Sequence, residues 1–336
     1  MTDILLVFTG GTIGSQLAGD TIDTDESAGF KLISLFRKFD TGQDRINFKT
    51  LQPVQILSEN LHPSVWYDMI SAIEAEELSR YDGVIVTHGT DTLAYTAAIF
   101  GLYFSGLDIP MLLVSSDLPL DNPAANGLKN FLCAVEYIRQ RKKPGVFVPY
   151  RNPGMAMHIH IATRLSSCLP LSSDFISVQN KVYQTFENGE FVQHHERLPV
   201  RVRRHRLKPR FGKILLIRPY PGLDYDHFNL DEIDAVLHDL YHSGTACVSE
   251  RWGMRHNLIA FSRRCQRRNI PLYLAPAVRS DAAYSSTKAL LAHGAKMIWN
   301  ISLETVYAKL ALAYGNFDDD NDIAAFIEQD IADEHV

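Results

Sequence analysis

The sequence predicts an α/β protein: a larger N-terminal domain on a mostly parallel sheet, and a smaller C-terminal α/β domain. Three observations lead there. Residues 3–8 and 84–86 are short apolar runs without polar alternation, as in strands covered on both faces. Such runs alternate with longer stretches of helical spacing, the pattern of a parallel sheet with helical crossovers. Between residues 198 and 212, Arg201, Arg203, Arg204, Arg206, Lys208 and Arg210 crowd around Pro199 and Pro209, as in an exposed connection. This gives domains at 1–197 and 213–336 with a linker at 198–212.

In order, strand 3–8 stops at Thr9-Gly10-Gly11-Thr12-Ile13-Gly14-Ser15. Val65, Met69, Ile70 and Ile73 predict a helix over 64–80. Strand 84–86 ends at Thr87-His88-Gly89-Thr90-Asp91-Thr92. Helix 92–103, strand 111–114, helix 124–140 and strand 145–148 follow. The C-terminal domain is expected to run strand 213–217, helix 231–242, strand 245–248, helix 257–268 and strand 271–274. Helices near 286–292, 303–314 and 321–331 complete it, the last capped by Asn321 or Asp322.

With 336 residues, 46% of them hydrophobic and 21% charged, the chain can bury an ordinary globular core, which argues against wholesale disorder. A net charge of −6 excludes a generic nucleic-acid binder. No apolar run approaches the ~18 residues of a membrane span. The first residues carry no basic region of a signal peptide. Cys133, Cys168, Cys247 and Cys265 are widely spaced without a CxxC, which suits free thiols in a reducing cytoplasm. His158 and His160 alternate on an expected strand, and His194-His195-Glu196 lies near the linker. A zinc site needs a further ligand that the sequence does not supply.

The two threonine loops carry the chemistry. Ligands of open α/β sheets bind beyond the carboxyl ends of strands, where both loops sit, so Thr12, Thr90 and Asp91 are expected in one pocket. Glycine lets the backbone turn tightly and brings amide N–H groups, such as those near Gly11 and Gly89, up to a ligand. A threonine hydroxyl attacks a carbonyl once a neighbour takes its proton, and backbone amides can hold the oxyanion. Asp91 offers a strong acceptor to a substrate ammonium. The plainer alternatives are a tight turn at Gly10-Gly11 and a helix cap at Thr90 or Asp91. The order G-G-x-x-G, with no Lys-Ser/Thr pair, speaks against a nucleotide loop.

TGGTIG after the first strand and HGTDT at 88–92 together resemble the bacterial asparaginase/glutaminase family, most of all the cytoplasmic type I L-asparaginases. Ala94-Tyr95-Thr96-Ala97, Ser116-Asp117-Leu118-Pro119-Leu120, Tyr220-Pro221-Gly222 and residues 289–294 extend the likeness over nearly the whole chain. The resemblance implies hydrolysis of L-asparagine to L-aspartate and ammonia, with no metal or cofactor. It implies Thr12 as nucleophile, Thr90 as second catalytic threonine, and Asp91 on the substrate α-amino group. Ser58 and Glu59 sit where the family holds the substrate's α-carboxylate and amine. It further implies a cytoplasmic homo-oligomer, dimer or tetramer; with the charge and the short apolar runs, no nucleic-acid or membrane partner is expected.

The sequence departs from the family pattern in two places that bear on catalysis. Residues 15–23 contain no tyrosine, although the family places one there to activate the nucleophile. Arg164 stands where the family has a catalytic lysine. Arginine keeps the positive charge but does not give up a proton near neutral pH. Slow turnover of asparagine is expected, the alternatives being another small amide as substrate or a member that binds an amino acid with little catalysis. The usual Ser-Asp-Gly is also changed, to Ala125-Asn126-Gly127. No cysteine of the type I effector site lies near 274–279, so cooperativity with asparagine is not expected.

Overall fold

The computed structural model describes the chain except residues 11, 12, 14, 19, 20, 25–27, 41–44, 141, 142, 195–206 and 281; at 15–18, 21–24 and 28–30 it describes the backbone alone. In chain order the elements begin with β1 (Thr2–Val7), β2 (Ser15–Ala18), β3 (Thr21–Thr24), α1 (Ala28–Phe39) and β4 (Ile46–Leu51). Then come α2 (Pro63–Glu74), β5 (Gly83–Thr87), α3 (Leu93–Tyr103), β6 (Pro110–Val114) and α4 (Gly127–Arg139). Strands β7 (Gly145–Arg151), β8 (Met157–Ile161), β9 (Gln184–Glu187) and β10 (Glu190–Gln193) follow. The remainder is β11 (Ile214–Ile217), β12 (Ala235–Asp239), α5 (Leu258–Gln266), β13 (Leu272–Ala277), α6 (Ser285–Ala292), β14 (Lys296–Trp299), α7 (Leu303–Asn316) and α8 (Asp320–Glu328). Two compact units result: Met1–His205 with Ile331–Asp333, and Arg206–Asp330 with Glu334–Val336. Residues 198–206 of the expected linker lie outside the described residues.

The first unit holds an eight-stranded sheet ordered β10-β9-β8-β7-β6-β5-β1-β4. From β4 to β7 the strands are parallel; β8, β9 and β10 turn back antiparallel. Every residue of β5 and β6 is buried, as the unbroken apolar runs require. Edge strand β4 alternates half-buried and exposed residues over its first half. The hairpin β9–β10 turns at Asn188-Gly189, both with positive φ, the backbone that two-residue hairpins demand.

Helix α2 starts with Pro63 in its first turn and His62 accepting from the Ser64 N–H. It buries Trp66, Met69, Ile70 and Ile73 and ends at Glu74, not at residue 80. Beyond Ile73 the apolar spacing stops, and Glu74, Glu76 and Glu77 place negative charge at the negative end of the helix dipole. Nine of the eleven residues of α3 are buried, so it is an internal helix rather than an amphipathic surface one. Helix α4 begins at Gly127, later than expected. The Asn126 side chain is engaged elsewhere, accepting from the Asp117 N–H at 3.0 Å and donating to Arg151 O at 3.0 Å.

The second unit is a four-stranded parallel sheet, β11-β12-β13-β14. Here the helix expected at 231–242 is corrected: residues 235–239 are strand β12, between β11 and β13. Ile233, Val236, Leu237 and Leu240 mimic helical spacing, but so short an apolar run fits either element until its neighbours decide. The strand expected at 245–248 is not formed; Thr245 makes only an isolated bridge to Tyr241. The cap of α8 is Asp319, whose carboxylate accepts from the N–H groups of Asn321 and Asp322, not either of those residues. No helix among the described residues is long and apolar enough to cross a membrane.

Lys309 and Glu334 form an ion pair with both side chains fully buried. The ammonium also donates to the carbonyls of Ile327, at 2.9 Å, and Gln329, so each of its three protons has an acceptor. Burial still lowers its pKa against the pull of Glu334. Replacing Lys309 by Met should take its buried cation away from the Glu334 carboxylate and cost about 3–5 kcal/mol. The double change Lys309→Met with Glu334→Gln should recover much of that. Urea unfolding of the two variants checks this, and a single variant as stable as wild type would refute it.

Burial also keeps three histidines neutral, lowering His88 to about 4, His160 to about 3 and His238 to about 4. Unfolded, each takes up a proton near its ordinary 6.5. The unfolded state therefore binds more protons between about pH 4 and 6.5, and stability falls as pH falls through that window. Each such group accounts for on the order of 3 kcal/mol once the pH reaches its folded value. Urea midpoints measured from pH 7 to 4.5 should drop steadily below pH 6.5.

Candidate active site

The chain runs from β1 to β4 on one side of it, then to β5 on the other. Such a reversal leaves a crevice beyond the carboxyl ends of the adjacent strands. The loops after β1, β4 and β5 meet there. Thr9 and Thr87, at the ends of β1 and β5, are locked together: the Thr9 hydroxyl donates to Thr87 O at 2.6 Å, and the Thr9 N–H to the Thr87 hydroxyl at 3.3 Å. On the other side, the Ile56 N–H donates to Thr9 O at 3.0 Å, and Gly10 bridges to Ile56. Gly10 has φ +93°, and a Cβ there would lie 2.4 Å from Ile56 O. Only glycine meets both demands. Thr9, Ile56, Ser58, Met69, His88 and Gly89 line a narrow cleft.

Ser58 and Asp91, 33 residues apart, are brought into contact. The buried Ser58 hydroxyl donates to the Asp91 carboxylate at 3.1 Å and accepts from the Asp91 N–H at 3.3 Å. The Thr92 hydroxyl donates to Ser58 O at 2.9 Å. Neither Thr90 nor Asp91 caps α3. Its cap residue is Thr92, without a side-chain capping bond, because the Thr92 hydroxyl and the Asp91 carboxylate are both taken by Ser58. These bonds fix the Asp91 carboxylate at the positive start of α3, where the helix dipole favours an anion.

His88 is buried behind this loop. Its Nδ1 lies 2.8 Å from Gly89 O, a pure acceptor, so Nδ1 carries the proton. Neutral His88 then presents a lone pair at Nε2, 2.9 Å from the Thr96 hydroxyl. Thr96 in turn accepts from Trp66 Nε1–H at 2.9 Å. The N–H groups of Gly89 and Thr90 have no protein partner among the described residues.

Of the other expected site residues, Gly11 and Thr12 lie outside the described residues. Glu59 sits exposed in the 3-10 turn Ser58–Asn60. Arg164 closes the 3-10 turn Ala162–Arg164, and its guanidinium pairs with Asp333 at 2.9 Å and with Asp333 O. Those bonds engage it with the segment 331–333. Sequence reasoning named Thr9 and Thr87 within the two loops and Thr96 within the family-like stretch 94–97 but gave none of them a site-shaping role, and it did not name Trp66, which lies on an expected helix. Cys168, read in the sequence only as a free thiol, has its pKa raised by burial and by the charges of Asp174 and Asp91. His158 and His160 share a face of β8, and His160 bonds the Ser177 hydroxyl at 2.8 Å. Among the described residues no group of three or more His, Cys, Asp or Glu is arranged to hold a metal.

The model of the asparaginase N-terminal family matches residues 3–196, more than half of the sequence. The chain belongs to the asparaginase family. Its fold is that of the thermostable L-asparaginase from Thermococcus kodakarensis (TM-score 0.81, 23% identity, 99% of both chains). It is also that of L-asparaginase I from Vibrio cholerae (TM-score 0.79, 19% identity, 100% of this chain and 99% of that one). Curated relatives include a subunit of the glutamyl-tRNA(Gln) amidotransferase from Halobacterium salinarum, 33% identical over 133 residues, 40% of this chain and 30% of that protein. The chain thus aligns with under a third of that relative's length. The protein of the same name from Methanosarcina mazei is 24% identical over 330 residues, 94% of this chain and 75% of that protein. The asparaginase-family fold therefore supplies the frame of the crevice.

Substituting Gly10 by Ala in this asparaginase-family protein should force a clash with the Ile56 backbone and a strained φ. The expected loss is on the order of 1–3 kcal/mol in stability, with displacement of the first threonine loop. Thermal unfolding checks this; an unchanged Tm would show that the bridge to Ile56 yields easily.

Proposed function

We propose that this chain is an amidohydrolase that cleaves the side-chain amide of L-asparagine to L-aspartate and ammonia, with Thr12 as nucleophile. One observation carries the reading: at the sheet's switch point, an Asp91 carboxylate fixed by Ser58 lies next to the N–H groups of Gly89 and Thr90, which have no protein partner among the described residues. That combination suits a substrate with an ammonium at one end and a carbonyl that becomes an oxyanion at the other.

In this reading Asp91 holds the substrate ammonium and Ser58 keeps Asp91 in place. Glycine backbone at Gly11 and Gly89 lies against the substrate, with Glu59 at the rim. The Thr12 hydroxyl attacks the amide carbon while a base takes its proton; with no tyrosine in residues 15–23, Asp20, Asp23 or a group from a second copy serves. The oxyanion accepts from the Thr90 N–H. Collapse expels ammonia, the nitrogen taking up the proton, and leaves an ester on Thr12. Water held by the Thr90 hydroxyl hydrolyses the ester to aspartate and restores Thr12. Arg164, engaged by Asp333, supplies charge but no proton transfer, so turnover is slow for the family. By the family resemblance the enzyme works as a cytoplasmic homo-oligomer without metal or cofactor. The curated relatives are named amidotransferase subunits, and on that name a second reading has the ammonia handed to another protein.

Ammonia release by the purified chain, assayed on asparagine, glutamine and other small amides, tests this. Release from asparagine is expected, with Thr12→Ala removing nearly all of it and Asp91→Asn raising KM at least tenfold. A Thr12→Ala variant within threefold of wild type would place the nucleophile elsewhere. Release from another amide alone would move the substrate, and ligand-induced stabilisation without turnover would indicate an amino-acid-binding member.

A further inference from the structure

We propose that Trp66 and Thr96, which line no substrate position, are positioning residues that aim the Thr90 amide at the developing oxyanion. The inference rests on the amidohydrolase reading above and adds to it the device that orients its oxyanion donor.

The argument follows the hydrogen-bond directions. Trp66 Nε1–H can only donate, so Thr96 Oγ1 accepts from it at 2.9 Å. The Thr96 proton then has one partner, His88 Nε2, at 2.9 Å. This leaves the His88 proton on Nδ1, which donates to Gly89 O at 2.8 Å. Each group has a single role, and reversing any link would leave two donors or two acceptors facing each other in the core. Thr96 is fully buried, His88 is 2% exposed and Trp66 is 3% exposed, so water does not compete for these bonds.

The last link reaches the site through the peptide plane. Gly89 C=O and Thr90 N–H belong to one planar trans peptide, the one cis bond among the described residues being Ala275–Pro276. In a trans peptide the carbonyl and the N–H point to opposite sides. A carbonyl drawn inward to His88 therefore turns the Thr90 N–H outward, and that N–H has no protein partner among the described residues. Ser58 fixes the neighbouring Asp91 by separate bonds. The relay thus controls the oxyanion donor without controlling the ammonium grip.

This separation gives the test. Thr96→Val keeps shape and removes the hydroxyl, Thr96→Ser restores it, and Trp66→Phe removes the N–H with most of the ring retained. With asparagine, Thr96→Val should lower kcat about 10–100-fold, since a misdirected oxyanion donor loses much of its 10²–10³-fold worth. KM and the affinity for L-aspartate should stay within threefold. Thr96→Ser should return to within threefold of wild-type kcat, and Trp66→Phe should fall between. A purely structural role would lower Tm and leave kcat in place, which would overturn the proposal, as would a parallel loss of aspartate affinity. Nitrogen-15 NMR supplies a readout independent of turnover. Wild type at pH 7 should show His88 protonated at Nδ1 alone, and Thr96→Val should lose that single tautomer and shift the Thr90 amide resonance. If wild type cleaves no amide, the hydrolase reading fails. The relay itself stands or falls by the His88 and Thr90 signals, and unchanged signals in Thr96→Val and Trp66→Phe would overturn it.

Discussion

Parallel pairing of β1 with β5 is the constraint from which the candidate site follows. The strands are separated by two crossovers in sequence, yet they share a register from Ile4–Gly83 to Val7–Val86. Just beyond that register, the paired hydroxyls and backbone groups of Thr9 and Thr87 tie the strand ends together. Both threonine loops leave the sheet within a few residues of that tie. Gly10 turns the chain against Ile56 on one side, and His88 to Asp91 lead into α3 on the other. A one-residue slip would exchange the faces of every side chain on the strand and would separate Thr9 from Thr87. The deep apolar burial of both strands makes such a slip costly, so the core holds the polar groups in register.

The first unit solves a polar problem inside this apolar frame. A strand that ends in the core must hand its last peptide groups to something. Here a neutral imidazole does so, bonding its own following carbonyl at Nδ1 and a hydroxyl at Nε2. The second unit repeats the arrangement at the end of β12, where His238 Nδ1 meets Asp239 O and Nε2 lies 2.9 Å from the Tyr225 hydroxyl. In both places burial lowers the histidine pKa to about 4. The ring is thereby kept in the one form that has both a donor and an acceptor to offer. The device suits strand ends because it satisfies two polar groups with one side chain and tolerates no second tautomer.

Arg164 shows how packing can redirect a residue whose chain position suggests a role. By the family resemblance a catalytic cation is expected at this position. In the fold, the segment 331–333 lies along its turn, with the Thr163 hydroxyl donating to Ala332 O at 2.8 Å and Arg164 joined to Asp333. Guanidinium is suited to this use, since its planar fork binds a carboxylate and a carbonyl together. The same features make it a poor proton carrier.

The sequence by itself determined the α/β class, the buried central strands and the two threonine loops, because unbroken apolar runs and glycine-threonine turns are local signals. It did not reveal β4, whose edge position leaves a weak pattern, or β12, whose apolar run fits helix and strand alike. The β9–β10 hairpin also went unread: Asn188-Gly189 is a turn signal, but its flanking strands of four residues each are too short to stand out. Tertiary structure alone decided that Ser58 grips Asp91, that Trp66 and Thr96 stand behind His88, and that Asp333 holds Arg164. Ser58 and Asp91 lie 33 residues apart, Trp66 and Thr96 30, and Arg164 and Asp333 169. A hydroxyl or carboxylate has no periodicity to announce its partner; which one it meets depends on how buried strands and helices bring distant segments into hydrogen-bond range.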